Sequence, residues 1–196
     1  ACRNSAELRM LRPTLCRLRQ ELPDLLPVLR MIPFDSLESL LAEGDIHMMF
    51  SFREAASTKN RYRELTRCPA VCICARSHPL ASRSVLTVKD LREGGWIATC
   101  RPRVYPPSLF ALQSRETSQV LFCDNLEVLL PLVVSGYAFA VTADIPHSRL
   151  PDLCYIPVPE MEPLSFGAVY TAEGYTPLVR QFLRILSEVS SPLSGE

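Results

Sequence analysis

The stretch Leu37–Phe52, LESLLAEGDIHMMFSF, decides how the chain is read, because a helix pattern runs into a nearly continuous apolar run with only Gly44 and Asp45 between them. Leu37, Leu40 and Leu41 recur at helical spacing, and Asp35 with Glu38 forms a capping-box-like start. Gly44 stands where a helix end takes a left-handed residue. Ile46 to Phe52 is broken mainly by His47 and Ser51, which suits a strand covered on both faces, as in a parallel sheet. The stretch is an αβ unit of a layered sheet.

The same grammar recurs outward in both directions. Asn4 with Glu7 caps a helix carrying Leu8, Leu11, Leu15, Leu18 and Leu22, bent at Pro13 and closed by Pro23 before a predicted strand, LLPVLRMI. GGWIATC reads as a strand, YPPSLFALQSRE as a proline-initiated helix, and QVLFC as another strand. Asp124 with Glu127 caps a helix stopped by Gly136. The strands YAFAVTA, CYIPV and SFGAVYT follow, and Tyr175 to Val189 makes the last helix, with Leu178, Val179, Phe182, Leu183 and Leu186 on one stripe. Alternating strands and helices predict a mostly parallel α/β architecture with right-handed crossovers. Two such groups are present, and the last helix has no sheet of its own unless it returns to the first, so two lobes joined by crossing strands are expected.

Composition narrows the function classes. The chain has 196 residues, of which 47% are hydrophobic and 21% charged, enough to build a core. Lys plus Arg number 21, as do Asp plus Glu, so no net positive charge draws the chain to a phosphate backbone. The eight cysteines are diluted through a chain of this size, which points to the reduced cytoplasm rather than a disulfide framework. Cys68, Cys72 and Cys74 lack zinc-knuckle spacing and read as small apolar residues of a buried strand. No apolar run is long enough to span a bilayer. The chain opens without Met on what reads as a strand tail, so a fragment of a longer protein is expected.

Catalytic signatures are missing from the sequence. There is no GxSxG elbow, no HExxH, no P-loop and no GxGxxG cradle, and His47, His78 and His147 stand apart from one another. No metal site and no cofactor are expected. What the pattern does supply is a set of helix starts that follow strands, where α/β sheets gather ligands. Those starts are Asn4 and Ser5, Pro33 to Ser36, Thr99 to Tyr105, and Asp124 with Asn125. Ser5, Thr99 and Arg101 can offer donors to a small carboxylate, with Phe34, Phe52 or Tyr105 covering its apolar part. Helix capping explains Asn4, Asp35 and Asp124 fully and outweighs the ligand reading there; Arg101 reads equally as a solvated loop arginine, and Asn125 is a weaker case, a first-turn residue that can simply face water.

Four segments, in this order and spacing, carry a resemblance over almost the whole chain: LESLLAEGDIHMMFSF, the HPLA turn in RSHPLAS (Arg76–Ser82), SGYAFAVTADIP and LVRQFLRILSE. Together they resemble the effector-binding domain of LysR-type transcriptional regulators. His47 stands where that family commonly has Asp, Ala138 where a second Gly is usual, and Ala143 where a Pro often ends the strand. The resemblance implies a two-lobed, periplasmic-binding-protein-like (type 2) α/β fold, with lobe I formed by residues 1–73 and 163–196 and lobe II by residues 74–162. It implies a small effector, such as a carboxylate or other anion, held in the interlobe cleft. It further implies a homodimer or homotetramer, and DNA contact only through an N-terminal winged helix-turn-helix outside this sequence. The family's pocket positions fall on Asn4, Ser5, Ala6, Phe34, Ser51, Phe52, Thr99, Cys100, Arg101, Pro102 and Asn125. The alternative on the same scaffold is a free solute-binding protein of a transport system, and an enzyme is not expected.

Overall fold

The computed structural model describes residues 1–100, 108–109 and 119–190, and they divide into two compact units. Unit 1 comprises Ala1–Arg67, Ile145–Ser148 and the chain from Ser165 on; unit 2 comprises Cys68–Asp144 and Arg149–Leu164.

In unit 1, α1 (Ser5–Glu21) begins where Asn4, in extended conformation, accepts the Glu7 N–H through its side chain at 3.1 Å. Met10, Leu11 and Leu18 bury the inner stripe of this helix. Helix α2 (Phe34–Glu43) ends on Gly44, whose φ of 80° is the left-handed conformation that glycine adopts without a Cβ penalty. The capping box expected at Asp35 and Glu38 does not form: the helix is already under way at Phe34, with Pro33 at the cap position and no side-chain cap. Strand β1 (Met49–Phe52) is buried along its whole length, as its apolar run requires. It is one edge of a three-stranded sheet completed by β8 (Leu164–Tyr170) in the centre and β2 (Arg61–Cys68). Ile32, Leu37, Leu41, Ile46, Met49 and Val169 form the core between α2 and the sheet. The last helix, α5 (Pro177–Ser190), lies against α1, tied by a ring of ion pairs in which Arg17 and Arg184 each meet both Glu21 and Glu188.

The predicted strand LLPVLRMI is not built as a ladder. One parallel bridge joins Met31 to Cys2, and Leu26 and Val28 are each 83% exposed. Among the described residues only Cys2 lies alongside to exchange backbone bonds, donating to Arg30 and accepting from Ile32, and no ladder partner adjoins the rest of the segment.

In unit 2, β3 (Ala70–Ala75) is fully buried between β6 (Ala140–Ala143) and β7 (Leu153–Pro157), antiparallel to both. Residues 68–73 therefore lie with unit 2. Its helix α3 (Val88–Glu93) starts on a complete Thr87–Asp90 capping box. Strands β4 (Ile97–Cys100) and β5 (Val120–Cys123) run parallel, and an Ile97–Phe139 bridge adjoins β4 to the start of β6. Helix α4 (Leu126–Val134) is capped by Asn125, whose side chain accepts the Val128 N–H, so the helix starts one residue later than the Asp124–Glu127 box would place it. The fold is α/β, and among the described strands the sheets are mixed rather than mostly parallel: β1–β8, β3–β6 and β3–β7 pair antiparallel, and β4–β5 pairs parallel. The expected helix over YPPSLFALQSRE lies outside the described residues, apart from Ser108 and Leu109, which are helical.

Gly167, in the middle of β8, sits opposite Ser51, and a Cβ there would lie 2.3 Å from the Arg63 carbonyl and 2.6 Å from the Tyr62 ring. Backbone cannot yield as a flexible side chain would. Gly167→Ala should therefore destabilise the chain by about 1–3 kcal/mol, read as a lower urea midpoint at unchanged m-value; an unchanged midpoint would show that β2 can back away from β8 freely.

Candidate functional site

Unit 1 holds six of the sequence-derived site residues around the start of α1 and the end of β1. Asn4 is the helix cap, Ser5 is the first helical residue, and Ala6 is buried beneath them. The Ser5 hydroxyl accepts from Arg9 Nη1 at 3.1 Å, and Arg9 Nε reaches the Ser148 carbonyl at 3.0 Å. Arg9 thus ties the start of α1 to the short Ile145–Ser148 excursion. Ser51, 1% exposed, donates its hydroxyl to the Phe52 carbonyl at 3.2 Å. Phe52 is itself buried, edge-on to Phe166 at 5.3 Å, while Phe50 stacks on the same ring at 5.9 Å.

The residue that organises this group is Arg3, which sequence reasoning passed over. Its guanidinium lies 5.4 Å from the Phe52 ring centroid and 6.0 Å from that of Phe34, so it is the contact these two aromatics share. Its counter-ion is Glu7: Arg3 Nε donates to Oε1 at 2.7 Å, Nη2 stands 2.6 Å from the same oxygen, and the Arg3 backbone N–H donates to Oε2 at 2.7 Å. The side chains are 5% and 0% exposed. Glu7 thus reaches back past the cap, and its charge sits at the positive end of α1. The one sequence signal for this arrangement was opposite charges at four-residue spacing across a helix start. It was absorbed by the simpler reading of Glu7 as a capping-box residue.

Unit 2 holds three described site residues. Thr99 and Cys100 end β4 and are completely buried, and the Thr99 hydroxyl donates to the Cys100 carbonyl at 3.1 Å, the same device that fixes Ser51. Cys100 stands opposite Cys123 at the carboxyl ends of the parallel pair, which brings Asn125, two residues on, to the same sheet edge. Asn125 is exposed, and its side-chain oxygen accepts from the Val128 N–H at 3.0 Å. Arg101 and Pro102, with Tyr105, lie outside the described residues.

Burial, reinforced by the neighbouring Cys123 and Asp124, pushes the Cys100 thiol up to about 12. Burial does the same to Cys68 and Cys2, each to about 12, with added repulsion from Asp144 and Glu7 respectively. Such thiols are protonated packing groups rather than nucleophiles. All eight cysteines are free, and among the described residues no cluster of three or more His, Cys, Asp or Glu could hold a metal ion. No helix of the described residues is long and apolar enough to cross a membrane.

The family model described as the LysR substrate binding domain matches residues 1–191. The chain belongs to that family. Solved structures agree on the fold. HinK, a LysR family transcriptional regulator from Pseudomonas aeruginosa, superposes with a TM-score of 0.77 at 18% identity, over 95% of this chain and 68% of that one. Full-length CbnR complexed with its target DNA gives 0.74 at 15% identity, over 96% and 68%. A hydrogen peroxide-bound mutant of OxyR from Corynebacterium glutamicum gives 0.74 at 20%, over 96% and 62%. The chain therefore spans about two thirds of the length of these regulators. No curated protein sequence matches it. As a LysR substrate-binding domain the chain is an effector-sensing unit of the transcriptional-regulator type, which sets aside the transport alternative.

Two outcomes test this description. Arg3→Met leaves the Glu7 charge buried with only the residue 3 backbone N–H on it and should cost about 3–5 kcal/mol in urea unfolding, whereas Arg3→Met with Glu7→Leu should recover most of that loss. In the native chain at pH 8, Ellman's reagent should label exposed Cys16 quickly and leave Cys2, Cys68 and Cys100 untouched until denaturant is added; removal of the fast phase by Cys16→Ser confirms the assignment.

Proposed function

We propose that this LysR substrate-binding domain binds a small effector on the strand-end and helix-start residues of its two units, and reports occupancy to a DNA-binding domain without altering the ligand. The observation that supports the reading is the wall built by Phe34, Arg3 and Phe52 where α1 begins and β1 ends. Aromatic faces with few fixed polar groups suit a small-molecule site. Asn4, Ser5, Ala6 and Ser51 stand with them in unit 1, and the family resemblance adds Thr99, Cys100, Arg101, Pro102 and Asn125 to the proposed effector contacts. The LysR-type family consists of transcriptional regulators rather than enzymes, and the buried, protonated thiols accord with binding.

The finer parts of the reading concern effector, assembly and location. The effector carries a carboxylate or other anionic end, gripped by Arg101, whose fork geometry matches such a group. The domain works as a homodimer or homotetramer in the cytoplasm and reaches DNA only through an N-terminal domain. Occupancy acts by favouring one arrangement of the assembly over another, so the ligand must bind the two arrangements unequally.

A thermal-shift screen of small metabolites tests this directly. A true effector at a hundred times its Kd should stabilise the domain by about 2.7 kcal/mol. Arg101→Ala should weaken that stabilisation while leaving the ligand-free melting temperature nearly unchanged; an equal shift in variant and parent removes Arg101, and the anion with it.

A further inference from the structure

In unit 1 the Glu7 carboxylate, wholly buried, occupies the Nε–Nη2 edge of Arg3 and the Arg3 backbone N–H, at 2.6–2.7 Å. The guanidinium therefore already has its counter-charge, and so has the positive end of α1. A second carboxylate brought to Arg3 would share it with Glu7, in a region where water screens poorly, and two like charges at such a site repel strongly. An uncharged acceptor meets no such repulsion. Among the described residues nothing accepts from Arg3 Nη1, and the rings of Phe34 and Phe52 flank the group on their apolar faces.

We propose that the part of the effector read by unit 1 is an uncharged planar group bearing a hydrogen-bond acceptor, such as an amide or ring carbonyl, laid against Phe34 and Phe52 with its acceptor on Arg3. Glu7 is then the specificity-determining residue that excludes a carboxylate from this position. Attraction alone would not discriminate, since an amide and a carboxylate have nearly the same shape; the discrimination comes from the repulsive charge behind the cation. The inference rests on the effector-binding reading above and adds the chemical class taken by one of its walls. An anionic end, where the effector has one, belongs with unit 2.

Benzamide and benzoate share a ring and a shape and differ in charge, so calorimetric titration of the chain with each tests the idea. The parent should bind benzamide at least about ten-fold more tightly than benzoate. Glu7→Gln, which keeps the shape and removes the charge, should reverse the order, benzoate gaining at least about ten-fold. Because that variant leaves a buried cation unpaired and lowers stability, Arg3→Gln with Glu7→Gln serves as a neutral second variant, in which the two probes should bind alike. Benzoate binding the parent as well as benzamide does overturns the inference, as does an unchanged ratio in either variant, or binding of neither probe to the parent. The two readings fail separately: a metabolite that stabilises the domain alongside an unchanged probe ratio sinks this inference and leaves the sensor standing. An amide preference in a chain that no metabolite stabilises does the reverse.

Discussion

Strand β8 has to serve two neighbours at once, and the structure of unit 1 follows from how it manages this. Its register with β1 sets Phe166 opposite Phe52 and Gly167 opposite Ser51, while Arg63 and Tyr62 of β2 press against Gly167 from the other side. A side chain at residue 167 would push β2 away, so the close approach depends on having none. Phe166, on the other face of the strand, packs its ring against both Phe50 and Phe52. The position of Phe52, and through it of Arg3, is a consequence of this packing rather than of any local preference of the Met49–Phe52 backbone.

The two units solve the same problem at their strand ends. A strand that stops inside the protein must finish with its polar groups satisfied, because an unpaired buried hydroxyl is costly. Ser51 and Thr99 each do so by donating to the carbonyl of the following residue. Small hydroxyl residues suit this place: they fit within a buried strand, and they hold the next carbonyl in a fixed direction. Helices α1 and α4 are started by similarly local means, Asn4 and Asn125 each accepting the N–H three residues on. Position is thus fixed by short-range bonds, and chemical character is left to the few side chains that reach beyond them.

That division explains what could be read in the sequence and what could not. Period and punctuation revealed α1, the Gly44 stop, the buried β1 and β3, and the alternation that makes the fold α/β, because those signals are local and each has one dominant cause. Capping at Asp35 and Asp124 misled, since Pro33 and Asn125 lie within a residue or two and a shift of the helix start by that much hands the cap to a neighbour. The segment LLPVLRMI has every mark of a strand, yet a strand needs a partner, and pattern in one segment does not report whether a neighbour is present. The β2–β8–β1 arrangement, which joins residues more than a hundred positions apart, left no trace in local pattern. Arg3 was invisible for a different reason. An arginine beside a helix start reads as solvated unless one knows that two rings from α2 and β1 close over it, and those rings meet only in the folded chain.

Burying Arg3 with Glu7 is a poor way to gain stability. Removing two charges from water offsets most of what their attraction returns, and apolar residues of the same volume would hold the fold as well or better. Two leucines here would leave Phe34 and Phe52 packed against an ordinary core. They would also leave the start of α1 with its full positive character, ready for any anion that reached it. The ion pair removes that general affinity and puts in its place a nearly buried guanidinium, already neutralised and framed by aromatic rings. A domain that is net neutral as a whole thus repeats the same balance at one point in its interior, where Glu7 answers Arg3 before any ligand can.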